Sequence, residues 1–221
     1  MELSIFEVLG PVMIGPSSSH TAGAARLARV AALIAAKPFA KVTFALSGSF
    51  AKTGGGHGTH KALLAGALGY AEDDENIRNI DGIAAGRGVQ SEYTEEDLDW
   101  MHENSVHITF HHTDGTQTEI WGSSIGGGRI RIHRIGKLAI EFSAECPTLI
   151  VPHLDRPGVI SEVSRVLAEN GINIGVLRLS RESKGQAAAP VIEADGRISP
   201  AVAGKVRTLQ HVTEVILVDV S

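Results

Sequence analysis

Residues 22–37 carry Leu27, Val30, Ala31 and Ile34 at steps of three and four, the spacing of one helix face. A serine among Ser17, Ser18 and Ser19 supplies a cap for that helix, and Pro38 closes it. Upstream, residues 5–14 form a short apolar stretch that ends at Gly15-Pro16. Residues 41–46 alternate apolar and polar with period two and predict a strand. The glycine-rich residues 47–60 predict a loop, followed by a small-residue helix over 61–68. Residues 72–103 are acidic and polar and read as helix and loop. Val106, Ile108 and Phe110 then share one strand face, with His107, Thr109 and His111 on the other. A turn at 113–116 leads to a second strand over 117–121. Ser123, Ser124 and the glycines at 126–128 interrupt it, and strands follow over 129–135 and 138–142.

The texture changes near Glu145-Cys146-Pro147, which divides the chain into domains at 1–144 and 147–221. The second domain reads as strand 148–153, helix to Asn170-Gly171, strands 172–180 and 186–193, a helix opened by Ser199-Pro200, and strand 212–220. That order is a split βαβ, with two helices on one face of an antiparallel sheet.

Composition narrows the function. Of 221 residues, 43% are hydrophobic and 20% charged, well inside the globular range. The net charge of −5 is dispersed in both signs, which argues against nucleic acid as a partner. Mean hydropathy is +0.07 and no apolar run nears a membrane-spanning length, so no membrane partner is expected. The opening residues lack a basic segment followed by an apolar one, so no signal peptide is read there. A single cysteine, Cys146, allows no internal disulfide and no all-cysteine metal cluster, and a cytoplasmic setting is expected.

Three clusters carry candidate chemistry. Ser17, Ser18, Ser19, His20 and Thr21 place hydroxyls and a histidine where a helix begins. Unpaired N–H groups there attract a carboxylate while His20 handles a proton. The plainer alternative is a serine cap beside an exposed histidine. Residues 53–60 set Gly54, Gly55, Gly56 and Gly58 around His57, with Thr59 and His60 following. Such backbone can approach a ligand closely or form an anion nest, or it can be a flexible loop. Residues 123–128 could be another backbone-built anion site or a bulged strand crossing. The histidines do not suggest a metal: His107 and His111 share a strand face but stand about 13 Å apart by strand rise. No Gly-x-Ser-x-Gly elbow marks a serine hydrolase.

The run Gly15-Pro16-Ser17-Ser18-Ser19-His20-Thr21 before an Ala-rich helix resembles the β chain of iron–sulfur-dependent L-serine dehydratase. Gly48-Ser49-Phe50-Ala51-Lys52-Thr53 leading into Gly56-His57-Gly58-Thr59, Ser124-Ile125-Gly126-Gly127-Gly128, and His102-x-Asn104 strengthen the resemblance. His60 stands where the family has Asp, and Glu103 where it has Pro. The second domain resembles an ACT domain at His153-Leu154-Asp155-Arg156-Pro157-Gly158 and at Asn170-Gly171-Ile172-Asn173. The resemblance implies an α+β fold: an N-terminal α/β domain like the allosteric-substrate-binding domain of some phosphoglycerate dehydrogenases, then a ferredoxin-like ACT domain. It implies a lyase that converts L-serine to pyruvate and ammonia, in which this chain completes the site over a 4Fe–4S cluster ligated by an α chain and is inactive alone. Ser17, Ser18, Ser19, Thr21, Gly54, Gly55, Gly56, Gly58 and Thr59 would then line the substrate site, with His20 or His57 as base. Asp155, Arg156, Pro157, Gly158, Asn170, Gly171 and Asn173 would form an ACT effector site, unless that domain only pairs chains as a homodimer. The alternative is a serine-sensing regulatory module without chemistry of its own.

Overall fold

A computed structural model describes residues 12–54, 56 and 58–220. The expected apolar stretch at 5–14 therefore lies largely outside the described residues. The chain forms two compact units, 1–133 and 134–221. The division falls within a strand, earlier than the change in texture near 145, because the strand at 138–142 goes with the second unit.

In the first unit a π-helical turn, Ser18–Gly23, runs directly into α1, Ala24–Ala35. Leu27, Val30, Ala31 and Ile34 are all buried, as their spacing predicts. Strand β1, Phe39–Ser47, follows, then α2, Gly48–Thr53, and α3, Thr59–Ala67. The start of the expected loop at 47–60 is thus helical. A 3-10 turn, Glu75–Asn79, and α4, Ile80–Gly86, lead to β2, Gln90–Glu95. Strands β3, Asn104–His112, β4, Gln117–Gly126, and β5, Arg129–Ile135, complete the series.

The strand order is β2-β1-β3-β4-β5. Strand β2 is parallel to β1, whereas β1–β3 and β3–β4 are antiparallel. The register stacks Phe44, Ile108 and Ile120 in one row of a buried face. Helices α1 and α3 are packed tightly: a Cβ on Gly66 would stand 2.0 Å from the Ala25 carbonyl oxygen. The reading of 72–103 as helix and loop missed β2. Nearly all its residues are exposed, so no apolar alternation marks it. The expected interruption at 123 is also corrected. Ser123 and Ser124 continue β4, and the chain turns at Gly126, Gly127 and Gly128, all with positive φ.

The second unit contains β6, Leu138–Phe142, β7, Thr148–Ile150, β8, His153–Leu154, and α5, Val159–Glu169. It continues with β9, Ile174–Arg181, β10, Ala187–Ala194, α6, Pro200–Arg207, and β11, Ile216–Val218. The expected single strand at 148–153 is two short ones, interrupted around Pro152, which has no N–H to donate. The expected strand at 212–220 shortens to β11. The sheet order β11-β7-β10-β9, antiparallel throughout, is the ferredoxin-like split βαβ, with β8 prolonging β7 alongside β10. Leu149, Val163, Leu167, Ile192 and Val206 fill its core. The overall class is α+β. No helix among the described residues is long and apolar enough to cross a membrane.

Candidate active site

Ser17 is extended, and its Oγ accepts from His20 N at 3.2 Å, which caps the π-helical turn. Runs of π-helix recur at functional sites because they re-aim side chains. Here the turn carries His20 to α2. His20 Nε2 lies 2.9 Å from Thr53 Oγ1 and 3.2 Å from Ser49 Oγ. Its ring stands edge-on to buried Phe50, with centroids 5.3 Å apart.

Helix α2 is itself seated on the segment before β3. Ser49 N donates to Glu103 O at 2.7 Å. Gly48, at φ +56°, comes so close that a Cβ there would fall 2.4 Å from the same oxygen. Asn104 bridges to Gly48, and its N–H donates to His102 Nδ1 at 3.1 Å. Behind this segment, Ser105 Oγ donates to His102 O and lies 2.8 Å from Ser123 Oγ, which is 2.9 Å from His133 Nε2. Ser105 and Ser123 are fully buried. One residue along each strand, on the other face, stand Asn104 and Ser124.

The first and third sequence clusters meet. A Cβ on Gly23 would lie 2.0 Å from Ser124 Oγ, and one on Gly126 would lie 4.0 Å from Ser19 Oγ. The first and second clusters also share a cavity. A hollow of about 230 Å³ is bordered by Gly15, Pro16 and Thr21 on one side and by Gly58 and Lys61 on the other. An adjoining hollow of about 550 Å³ has Pro16, Gly54, Gly56, Gly58 and His60 among its walls. Gly55 and His57 lie outside the described residues. Among the described residues, Thr59 Oγ1, Asn104 Oδ1 and Ser124 Oγ are buried polar atoms without a hydrogen-bond partner. An unsatisfied buried polar group costs about 1–3 kcal/mol.

His60 takes a different part. Its ring stacks on Tyr93 at 4.1 Å, and Tyr93 OH donates to His60 O at 2.9 Å. Burial pushes the His60 imidazole below its ordinary range and the Tyr93 hydroxyl up to about 12.

The ACT candidates of the second unit fall into two separate groups. Asp155 Oδ2 accepts from Gly185 N at 3.0 Å and from Arg181, and Arg156 also lies beside Gly185. Together with Pro157 and Gly158 they form the entry to α5. Asn170 and Gly171 form its exit: Asn170 caps the helix and receives Lys205 Nζ at 2.7 Å. Asn173 donates to Asp195. The eleven residues of α5 separate the two groups by about 16 Å within one chain.

The serine dehydratase beta chain family matches residues 4–90, and the ACT domain matches residues 148–193. A probable L-serine dehydratase beta chain of Bacillus subtilis is 38% identical over 212 residues, 96% of each chain. The L-serine dehydratase beta chain of Peptoniphilus asaccharolyticus is 38% identical over 220 residues, 99% of each. D-3-phosphoglycerate dehydrogenase of Bacillus subtilis is 28% identical over 162 residues, which are 72% of this chain and 30% of that one. This chain belongs to the serine dehydratase beta-chain family.

For this beta-chain family member, the candidate residues read from sequence were incomplete. Ser49 and Thr53, which hold His20, lay within a segment that carried the resemblance but were not taken as site residues. Asn104, Ser105 and His133 were not among the candidates either, and Ser123 and Ser124 entered only as part of a possible backbone-built anion site at 123–128. Hydroxyl residues at strand positions that must be buried are the signal that could have found the serines. The donor set does not suit an iron–sulfur cluster, which needs several thiolates: Cys146 is the single cysteine and is exposed. Among the described residues no group of three His, Cys, Asp or Glu side chains could hold a metal ion.

Proposed function

We propose that this chain is the serine-binding, proton-handling part of an L-serine dehydratase that makes pyruvate and ammonia. Its iron–sulfur cluster would sit on a cysteine-bearing α chain, since the thiolates are lacking here, and this chain would be inactive alone. The observation that carries the reading is the seating of His20 on Ser49 and Thr53, in a unit that also buries unpartnered polar groups on Thr59, Asn104 and Ser124. A small zwitterion with a hydroxyl needs such a set of donors and acceptors. The hydroxyls of Ser17, Ser18, Ser19 and Thr21, with the amides of their turn, hold the substrate carboxylate. His20 takes the proton from the substrate's Cα, with His57 as second candidate. The glycine backbone at 54–58 leaves room for the partner to approach. The ACT domain senses an amino acid or pairs two chains. Exposed Leu177 and Leu179 on β9 support a pairing surface, and the 16 Å separation within one chain suits an effector site only if a second copy completes it.

Anaerobic co-purification with a cysteine-bearing α chain and a pyruvate assay test the reading. Wild type should turn over L-serine, and His20→Ala should lose about 100-fold or more in kcat. Full turnover by a His20→Ala/His57→Ala double variant would remove both histidines from the mechanism. No pyruvate from the wild-type assembly, with retained serine binding, would favour the regulatory module.

A further inference from the structure

The hollow of about 550 Å³ holds charges of both signs that the proton-handling step does not use. Lys61, Asp81, His60 and Tyr93 border it, with the backbone of Gly54 and Gly58. His60 Nε2 faces the glycine wall, 3.5 Å from where a Cβ on Gly54 would stand. Among the described residues the His60 ring stacks on Tyr93 and has no hydrogen-bond partner, and Asp81 forms no ion pair. Burial holds the imidazole below its ordinary range, so near pH 7 the ring is uncharged and one nitrogen offers a lone pair. The Tyr93 hydroxyl is spent on His60 O at 2.9 Å. Lys61 Nζ donates to Arg78 O at 3.1 Å and has two further hydrogens to give. Lys61 also borders the smaller hollow, where Thr21 stands. Arg78 lines that smaller hollow too, but its charge is paired with Glu75 at 3.0 Å.

We propose that His60 and Asp81 form the subsite for the ammonium group of the amino-acid substrate, with Lys61 sharing its carboxylate where the two hollows adjoin. The inference rests on the reading of the first unit as the serine-binding part of the enzyme. An ammonium group has three hydrogens and one positive charge to satisfy. The uncharged His60 ring accepts one hydrogen, and the Asp81 carboxylate balances the charge. Lys61 stands on the side shared with Thr21, whose turn holds the carboxylate. An α-amino acid matches both charges of the hollow, whereas a hydroxy acid matches only one. The stack on Tyr93 and the bond from Tyr93 to the His60 carbonyl hold the ring and its backbone in place.

Calorimetric titration of the full-length chain and of the assembled enzyme compares L-serine with L-glycerate, in which a hydroxyl replaces the ammonium. Wild type should bind L-serine about tenfold tighter or more, and Asp81→Asn should erase that preference by weakening L-serine alone. His60→Phe keeps an aromatic ring on Tyr93 and removes both nitrogens. It should weaken L-serine about tenfold, a loss that a purely stacking role would not produce. Retained L-glycerate binding shows that both variants are folded. Lys61→Met should weaken the two ligands alike, since both carry a carboxylate. In the assembled enzyme His60→Phe and Asp81→Asn should raise KM for L-serine about tenfold, with a smaller effect on kcat. L-Serine binding unmoved in either variant, or equal weakening of both ligands in Asp81→Asn, would overturn the proposal, and continued pyruvate production would leave the lyase reading standing. A wild-type assembly that makes no pyruvate yet shows these binding changes refutes the lyase reading and upholds the subsite. Failure of wild type to bind L-serine, as chain and as assembly, refutes both.

Discussion

The two units differ in how much polar surface they bury. Eight of the ten buried polar or charged residues among those described belong to the first unit, including Thr59, Asn104, Ser105, Ser123 and Ser124. The second unit buries Thr148 and His153 and otherwise packs mainly Leu, Ile, Val and Ala, with Phe142 and Pro190. Individual glycines illustrate two different uses. Gly23 and Gly66 are places where a neighbouring chain segment comes too close for a Cβ. Gly158 and Gly171 have positive φ and open space around them, and serve to start and stop α5. Taking polar groups out of water costs stability unless they are paired, and the first unit carries more of that cost than the second.

Substitutions at two glycines sharpen this comparison most. Gly66→Ala should destabilise the first unit by about 3 kcal/mol, because the new methyl meets the backbone of α1 rather than a movable side chain. Gly171→Ala meets nothing and should cost only the left-handed backbone, about 1–2 kcal/mol. Urea unfolding of each variant measures both, and equal losses would break the comparison.

One group in each unit ties stability to pH in the opposite sense. Tyr93 in the first unit ionises near 10 when unfolded but near 12 when folded, because burial disfavours the phenolate. Its stabilisation is complete below pH 10 and is lost as pH rises toward 12, on the order of 2 kcal/mol. Tyr93→Phe should flatten that alkaline loss. Asp155 in the second unit is held below the usual carboxylate range, first by Gly185 N–H and then by Arg181. Its contribution is present above the ordinary carboxylate pKa and is lost as pH falls through the lowered value, so Asp155→Asn should flatten the acid limb. Melting temperatures across pH check both.

The smallest effect is a matched pair of helix caps. Ser17 Oγ accepts from His20 N, and Ser199 Oγ accepts from Val202 N at 3.3 Å. Either serine replaced by alanine should cost about 1 kcal/mol. Only Ser17→Ala should also lower kcat in the assembled enzyme, since only that cap aims His20.

The second unit was legible almost element by element. Its apolar residues sit at clean helical and strand periods, and Asn170-Gly171 and Ser199-Pro200 mark helix ends chemically. In the first unit α1 and β3 were equally plain. Strand β2 was not, because Gln90, Ser91, Glu92, Thr94 and Glu95 bury nothing and are held by backbone pairing to β1. Helix α2 was masked by Gly48 and Ser49, which read as loop until the carbonyl of Glu103 gives them a seat. Of the site, His20 and the serines before it were legible as a capped helix start. Ser49 and Thr53 were not, because a hydroxyl's role depends on what faces it.

What the chain alone determined is most of the elements, the two-part division, the family, and the three clusters of small and hydroxyl residues. These are local matters: period, capping and turn chemistry act over a few residues. What only the tertiary structure decided is that the cluster at 17–21 meets residues of both the 53–58 and the 123–128 segments, and that two candidate segments of the ACT domain stand at opposite ends of α5. Contacts between segments tens of residues apart are set by sheet register and by how closely glycines let backbones approach, and neither leaves a local pattern in the sequence.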